Sequence, residues 1–255
     1  MKRHVVFALA VGHAACAGGR TTPHLDGRDV DGRDSDGPVA IDASPDAPPG
    51  AQPYAHTIAI DGTDDFAVAD RFATTSTAYA ARVSWDAQNV YVGYAGPDLD
   101  PAALDTSSKW LFAYLDLDPG AGTGSTTSVT YNTQHATFPA GFGAELYARW
   151  KCDGTFHSLE RYQAPSWTAD ATVVPAAQAG TYVELAIPRS VLGSATTIGL
   201  VTWMINEKQS FEGSFAGLYA GNFTDGYAMA LPITTYLKID FAAARAPNDA
   251  ANQAP

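Results

Sequence analysis

The feature of this chain that most restricts its fold is a series of short strand-like runs between residues 54 and 242. Apolar and polar residues alternate within the runs, and clusters rich in Gly, Asp, Asn and Pro separate them. A period of two is typical of half-buried β-strands, and no segment sustains the period of a helix. The runs are residues 56–60, 79–85, 89–95, 110–116, 142–150, 155–161, 181–187, 197–206 and 228–239. We therefore predict an all-β domain over 54–242, an antiparallel β-sandwich or jelly roll.

The first fifteen residues have the composition of a bacterial export signal. Lys2 and Arg3 precede a short apolar run at 5–11, and small residues surround Cys16. This run is too short to span a membrane. The Ala-Ala-Cys sequence that ends at Cys16 is similar to a lipobox, although His13 departs from that pattern. We predict that residues 1–15 are a lipoprotein-type signal peptide and that Cys16 is acylated, with ordinary secretory cleavage as the alternative.

A lipobox implies a location as well as a modification. The predicted protein is exported and held at the outer membrane or cell surface by its lipid, so that its contact with the membrane is through that anchor alone. The alternative cleavage would leave a soluble periplasmic or secreted protein. Residues 16–53 are rich in Gly, Pro and Asp and poor in large apolar residues, which predicts a disordered linker. The Ala/Pro/Asn-rich residues 243–255 are predicted to be a flexible tail.

The charge of the chain excludes one class of partner. The formal net charge is −12, from 15 basic and 27 acidic residues. A nucleic-acid-binding surface has to be basic because the phosphate backbone is anionic, so we expect no nucleic acid. The charge does not indicate an oligomeric state.

Each predicted strand has one aliphatic face and one face of mixed character. Leu111, Leu146 and Leu185 lie on the aliphatic faces, whereas aromatic and charged side chains alternate with them. Trp85, Trp150 and Trp203 are predicted to lie in the core, since Trp is deeply buried on average. If the strands share a sheet, the mixed faces form one surface that suits sugars, which pack on aromatic rings and exchange hydrogen bonds through their hydroxyls. The candidate ligand-binding residues are Trp110, Tyr114, Glu145, Tyr147, Arg149, Tyr182 and Glu184. Trp167 and the loops near 211–223 are the alternative location.

Several short motifs, in this order, resemble the β-sandwich of family-nine carbohydrate-binding modules and their DOMON-like relatives. They are Ile60-Asp-Gly62 with Asp64-Asp65-Phe66, Trp85-Asp86 before Asn89-Val-Tyr91, Leu115-Asp116 before a Gly-rich loop, Glu184-Leu-Ala-Ile-Pro188, and Trp203-Met-Ile-Asn-Glu207. The resemblance implies a non-catalytic module that binds carbohydrate or a related polyol. In the sugar-binding members two exposed tryptophans hold a terminal sugar, and the motifs here do not indicate which residues would form that pair.

The resemblance also implies a cofactor, because family members bind calcium structurally. The nearest candidate ligands are Asp116 and Asp118, two residues apart in a Gly-rich loop where carboxylates can offer hard oxygen ligands. Aspartates that only form the turn are the alternative.

Two other functions are compatible with an all-β exported domain. A structural or protein-interaction module of the cell envelope needs only an apolar surface. A glycoside-acting enzyme needs two carboxylates across a cleft, and Glu145 with Glu184 is the pair that adjacent strands could bring together. The histidines and serines show no metal-ligand or nucleophile spacing, so we predict a protein that is not an enzyme.

Overall fold

The computed structural model describes residues 51–100, 102, 108–131, 133–207 and 213–255. The predicted signal peptide, Cys16 and almost all of the predicted linker lie outside these residues and stay predictions. The described part contains short 3-10 turns and fifteen β-strands but no α-helix. No helix within it is long and apolar enough to cross a membrane.

The strands are numbered in chain order. They are β1 (Arg71–Ala73), β2 (Ala80–Trp85), β3 (Asn89–Ala95), β4 (Lys109–Asp116), β5 (His135–Thr137), β6 (Leu146–Lys151), β7 (His157–Gln163), β8 (Ser166–Asp170), β9 (Ala176–Ala179), β10 (Tyr182–Pro188), β11 (Thr197–Asn206), β12 (Gly213–Phe215), β13 (Ala230–Pro232), β14 (Tyr236–Asp240) and β15 (Gln253–Ala254).

Two antiparallel sheets form the sandwich. The first has five strands in the order β1-β2-β3-β10-β9, and the second has eight, β15-β14-β11-β4-β6-β7-β8 with β12 paired to β11. Every strand pair within these two sheets is antiparallel. The predicted all-β antiparallel sandwich is therefore confirmed.

The main core lies between the two sheets, where the aliphatic faces meet. Val83 and Leu185 from the first sheet and Leu111, Leu146 and Leu200 from the second are fully buried in it. This core also contains Trp85 and Trp150, as predicted, and burying such side chains stabilises the fold by about 1.5–3 kcal/mol each.

A second apolar cluster lies on the other face of the eight-stranded sheet. Residues 125–131, 133–138 and 223–233, which we call the cover, pack over that face and contain the two parallel strands β5 and β13. Beneath the cover lie aromatic rings from β4, β6 and β11, among them Trp203, which the sequence analysis assigned to the core. The sandwich is thus covered on one side by a third, partial layer.

The two ends of the described chain are held together. Tyr54 N donates to Ala243 O at 2.8 Å. β15 pairs with β14, and the Asn252 side-chain amide donates to Ala246 O and Pro247 O. The prediction of a flexible 243–255 tail is therefore wrong, because backbone pairing and an amide side chain fix a segment whose composition resembles a loop.

Other boundaries also differ from the prediction. Residues 56–60 form no strand; they run along the sandwich with Ile58 buried, and His56 N donates to Trp85 O at 2.9 Å. The predicted 228–239 strand is divided into β13 and β14. The strands β1, β5, β8, β9, β12 and β15 lie outside the predicted runs. Five of them have only two to four residues, too few for alternation to be recognised, and β8 has Trp167 as its one large apolar residue.

Candidate functional site

The seven predicted ligand-binding residues do not share one surface. Tyr182 and Glu184 lie on β10 of the five-stranded sheet, whereas Trp110, Tyr114, Tyr147 and Arg149 lie on β4 and β6 of the eight-stranded sheet. The predicted single face is therefore wrong. Alternation tells which side of a strand a residue occupies but not which sheet the strand joins.

Glu184 holds a loop to the five-stranded sheet. Its Oε1 accepts hydrogen bonds from Asp61 N at 2.8 Å and Gly62 N at 2.7 Å, and its Oε2 accepts one from the Tyr182 hydroxyl at 2.8 Å. Glu184 is fully buried, and this burial raises the pKa of its carboxyl group. Gly62 has φ +86, where a side chain is rarely accommodated, so Glu184 and Gly62 together fix this turn.

Tyr114 and Tyr147 belong to the second apolar cluster instead of an open face. Their rings stack with centroids 4.9 Å apart, and Tyr114 stacks on Trp203 at 5.3 Å. The cover contacts this row, and Val129 N donates to the Tyr114 hydroxyl at 3.2 Å. Burial raises the pKa of Tyr114 well above its ordinary value. The prediction that these rings are exposed to a ligand is wrong, because short strands outside the sandwich cover them.

Trp110 and Arg149 lie at the margin of the same cluster. Trp110 is 7% exposed, and its indole N–H donates to Glu207 Oε2 at 2.7 Å. Arg149 pairs with Glu160 at 3.2 Å, and its guanidinium lies 5.0 Å from the ring centroid of Phe156, which is 41% exposed. The charged groups of this margin are already paired, since Lys151 lies 3.6 Å from Asp153 and Arg149 contacts Glu160.

An acidic cluster forms at the end of β4. Carboxylate oxygens of Asp116, Asp118 and Glu145 lie within 4.8 Å of one another. Asp116 accepts hydrogen bonds from Asp118 N and Gly143 N, both at 2.9 Å. The predicted pair Asp116 and Asp118 is thus joined by Glu145, which the sequence analysis assigned to the ligand face.

The local backbone explains why Glu145 reaches this cluster. Glu145 Oε2 accepts a hydrogen bond from Leu117 N at 2.8 Å, and the Thr123 hydroxyl lies 2.6 Å from both Asp118 Oδ1 and Glu145 Oε1. Gly124 has φ +77, and a Cβ there would lie 2.4 Å from Gly143 O, so the loop needs glycine. Burial raises the pKa of both Asp116 and Glu145, and neighbouring carboxylates add to the shift.

One hollow of the described surface has two partly exposed aromatic residues and several polar groups in its wall. It has a volume of about 350 Å³ and lies where the starts of β2 and β4 meet the end of β11 and strand β12. We call it the Phe215 hollow. Its walls include Ser76, Tyr79, Lys109, Asn206, Phe215 and Gly226. The rings of Tyr79 and Phe215 are both partly exposed and meet edge to face, with centroids 5.1 Å apart.

Two larger hollows lack this combination. One of about 660 Å³, along Leu117–Ala121 and Leu192–Thr197, has no aromatic ring in its wall. The other, of about 470 Å³, borders β9, and its tryptophan, Trp150, is a buried core residue. The Phe215 hollow was only indirectly predicted, as the alternative site near residues 211–223. Nothing in the sequence links Tyr79, Lys109 and Phe215, which are far apart along the chain.

Comparison with known proteins gives one structural likeness. No protein-family model and no curated protein sequence matches the chain. A family 9 carbohydrate-binding module from Caldicellulosiruptor kristjanssonii, solved in complex with cellotriose, matches with 14% identity and a TM-score of 0.38 over 71% of this chain and 91% of that chain. At this TM-score the likeness carries no argument about either fold or ligand.

Proposed function

We propose that this domain is a non-catalytic module that binds carbohydrate or a related polyol in the Phe215 hollow. The observation that carries the proposal is the pair of partly exposed rings, Tyr79 and Phe215, in the wall of a 350 Å³ concavity. Small-ligand sites are typically concave, about 300–1,000 Å³ in volume, and combine apolar walls with a few polar groups. The Tyr79 and Phe215 rings would contact the C–H faces of a sugar.

The polar groups of the hollow fit a neutral ligand. The Asn206 amide can exchange hydrogen bonds with the hydroxyls of a ligand, whose donor and acceptor character matches an amide. The Ser76 hydroxyl donates to Asp225 Oδ2 at 2.5 Å and accepts from Ala216 N at 2.8 Å, so it is held in place in the wall. Lys109 is the charged residue among the described lining residues, and it is only 3% exposed. Its Nζ lies 6.0 Å from the centroid of the Phe215 ring.

The geometry gives no support to the enzyme alternative suggested by the sequence. Glu145 lies in the acidic cluster beside the eight-stranded sheet, and Glu184 is buried in the five-stranded sheet against residues 61–62. This pair therefore does not flank a common cleft. The described residues that line the Phe215 hollow include no carboxylate, whereas glycoside hydrolysis needs two.

A glycan array with the full chain, followed by calorimetric titration of the best ligand, tests the proposal. Phe215→Leu keeps an apolar side chain but removes the ring, and it should weaken binding by on the order of 1–3 kcal/mol while the thermal midpoint stays close to that of the parent. Phe156→Leu is the matched control, since Phe156 is an exposed ring on the β6–β7 hairpin. Equal losses in both variants, or no ligand on the array, would refute the Phe215 hollow as the site.

We also propose that the acidic cluster is a structural calcium site. Its three carboxylates supply the hard oxygen ligands that Ca²⁺ prefers, and a cation would offset the cost of holding them close together in a partly buried loop. The residues present therefore fit calcium, with Asp116, Asp118 and Glu145 as ligands.

We also propose that the protein is exported and anchored by a lipid on Cys16. The support is the sequence of residues 1–16 alone. Mass spectrometry of the mature N-terminus from the native host should find a diacylated cysteine. An unmodified N-terminus that starts after Cys16 would overturn the anchor and favour a soluble exported protein.

A further inference from the structure

We propose that the ligand is a neutral chain of sugar or polyol units that crosses Tyr79 and fills a hollow on each side of it. This rests on the proposed carbohydrate-binding function and adds that the site binds the interior of a chain, not a single terminal unit. A second hollow, of about 340 Å³, lies beside the first and shares Tyr79 with it. We call it the Thr181 hollow.

Tyr79 forms the boundary between the two hollows. It lines the Phe215 hollow together with Phe215 and Asn206, and it lines the Thr181 hollow together with Gly96 and Thr181. The hollows have nearly the same volume, about 350 and 340 Å³. A ring that lines two neighbouring hollows suits a ligand long enough to contact it from both, as a chain of repeated units would.

The position of Tyr79 is fixed by its surroundings. A Cβ at Gly96 would lie 2.1 Å from a carbon of the Tyr79 ring, so glycine is needed there for space. Gly96 has φ −174, an extended conformation that any residue adopts, and its backbone therefore does not explain the glycine. Tyr79 N donates to Ser76 O at 3.0 Å, and the Thr74 hydroxyl donates to Tyr79 O at 3.0 Å. A ring held in this way loses little freedom on binding, which favours affinity.

The walls of the Thr181 hollow determine what kind of chain it can accept. Thr77 and Thr181 are exposed and offer hydroxyl groups. Gly96 N donates to Thr181 O at 2.9 Å, and this hydrogen bond fixes the part of the wall that Gly96 and Thr181 form. The other lining residues are Ala78, Ala80, Ala95 and Pro97. None of these side chains carries a charge, so the second unit of the ligand should be neutral as well.

Calorimetric titration of the full chain with neutral gluco-, manno- and xylo-oligosaccharides of one to four units tests this inference. For the sugar that binds, affinity should rise about tenfold or more between one unit and three, because a second hollow adds contacts comparable to one buried apolar side chain, and then level off. Oligosaccharides blocked at both ends should bind as tightly as unblocked ones, since no chain end is needed.

Thr181→Tyr should fill the second hollow and remove most of the gain in affinity with chain length. Thr168→Tyr places the same side chain at an exposed position of β8 in the other sheet and should leave all affinities unchanged. Equal affinity for one and four units, loss of binding to end-blocked chains, or full retention of the gain in Thr181→Tyr would overturn the inference and leave the proposed function intact. Failure of every oligosaccharide to bind would overturn both.

Discussion

At the scale of single residues, the buried carboxylates of this protein hold loops in place. Glu184 accepts three hydrogen bonds, two from backbone N–H groups of residues 61–62 and one from Tyr182. Asp116 accepts two backbone hydrogen bonds in the same way. A carboxylate that alternates with core residues along a strand can therefore bind a loop of the same protein as readily as it can bind a ligand. The sequence pattern does not distinguish the two. The assignment of Glu184 to a sugar site was wrong for this reason.

The first prediction concerns Glu184. Glu184→Ala should destabilise the domain by about 1–3 kcal/mol, because it removes the buried oxygen that accepts hydrogen bonds from the backbone N–H groups of Asp61 and Gly62. Glu184→Gln keeps an oxygen for both and should cost less. Urea unfolding at neutral pH measures both variants, and equal losses would contradict the assigned role of the oxygen.

The same variants give a test by pH. The folded-state pKa of Glu184 is raised by burial, so the folded protein holds this proton more tightly than the unfolded chain does. The contribution of this group to stability is therefore greatest below its unfolded pKa, about 4.3, and is lost as pH rises through the folded value. Relative to Glu184→Gln, the parent should lose stability as the pH rises from about 4 to the folded-state pKa of Glu184. A difference in the free energy of unfolding between the two proteins that stays constant over this range would contradict the raised pKa.

The second prediction concerns calcium at the acidic cluster. Binding to the folded state alone should raise the melting temperature in calcium relative to chelator. Glu145→Gln and Asp116→Asn should each abolish most of that rise, since each removes one of three carboxylates. Asp153→Asn is the control, because Asp153 lies in the turn between β6 and β7 and pairs with Lys151. Identical melting temperatures with calcium and chelator in the parent would rule out the site.

At the scale of strands, the prediction from alternation was correct about sides and wrong about exposure. The aliphatic positions of β4, β6 and β10, such as Leu111, Leu146 and Leu185, all reach the main core. The opposite positions of β4 and β6 lie under the cover, which is made of irregular segments and the three-residue strands β5 and β13. Such segments carry no period of two that would identify them as a layer, so alternation alone predicts that the aromatic row faces solvent.

The third prediction separates a buried ring from an exposed one at this face. Trp110→Ala should destabilise the domain by about 3–5 kcal/mol, the usual cost of removing a large aromatic side chain from a packed site. Phe156→Ala, at a ring that is 41% exposed, should change stability much less. Chemical unfolding of both variants checks this. A folded, fully stable Trp110→Ala would restore the interpretation of Trp110 as a ligand contact.

At the scale of the whole molecule, the sandwich, its longer central strands and its core tryptophans could be predicted from sequence, because each depends on local alternation. The partition of strands between two sheets could not, since it depends on pairing between distant segments such as β3 with β10. The Phe215 hollow could not be predicted for the same reason. Its walls come from residues 76, 79, 109, 206, 213–215 and 226.

The fourth prediction concerns the C-terminal boundary. A chain that ends at residue 242 lacks β15, the Asn252 contacts and the Ala243 carbonyl that pairs with Tyr54. Its melting temperature should be several degrees lower than that of the full chain, because a loss of about 1–3 kcal/mol shifts the midpoint of a domain of this size by roughly 2–4 °C per kcal/mol. Asn252→Ala should give a smaller shift in the same direction. Equal midpoints for the truncated and full chains would show that this segment adds no stability.

The distribution of tryptophan gives the molecule a set of internal optical reporters. Trp85 and Trp150 lie in the main core, whereas Trp110 and Trp203 lie beneath the cover, with Trp167 packed against its edge. Intrinsic fluorescence therefore arises from both sides of the eight-stranded sheet at once. Replacing Trp85 and Trp150 by phenylalanine would leave tryptophan emission from the cover side alone, and replacing Trp110, Trp167 and Trp203 would leave it from the main core alone. The order in which the two sides hydrate during unfolding could then be followed without an added dye.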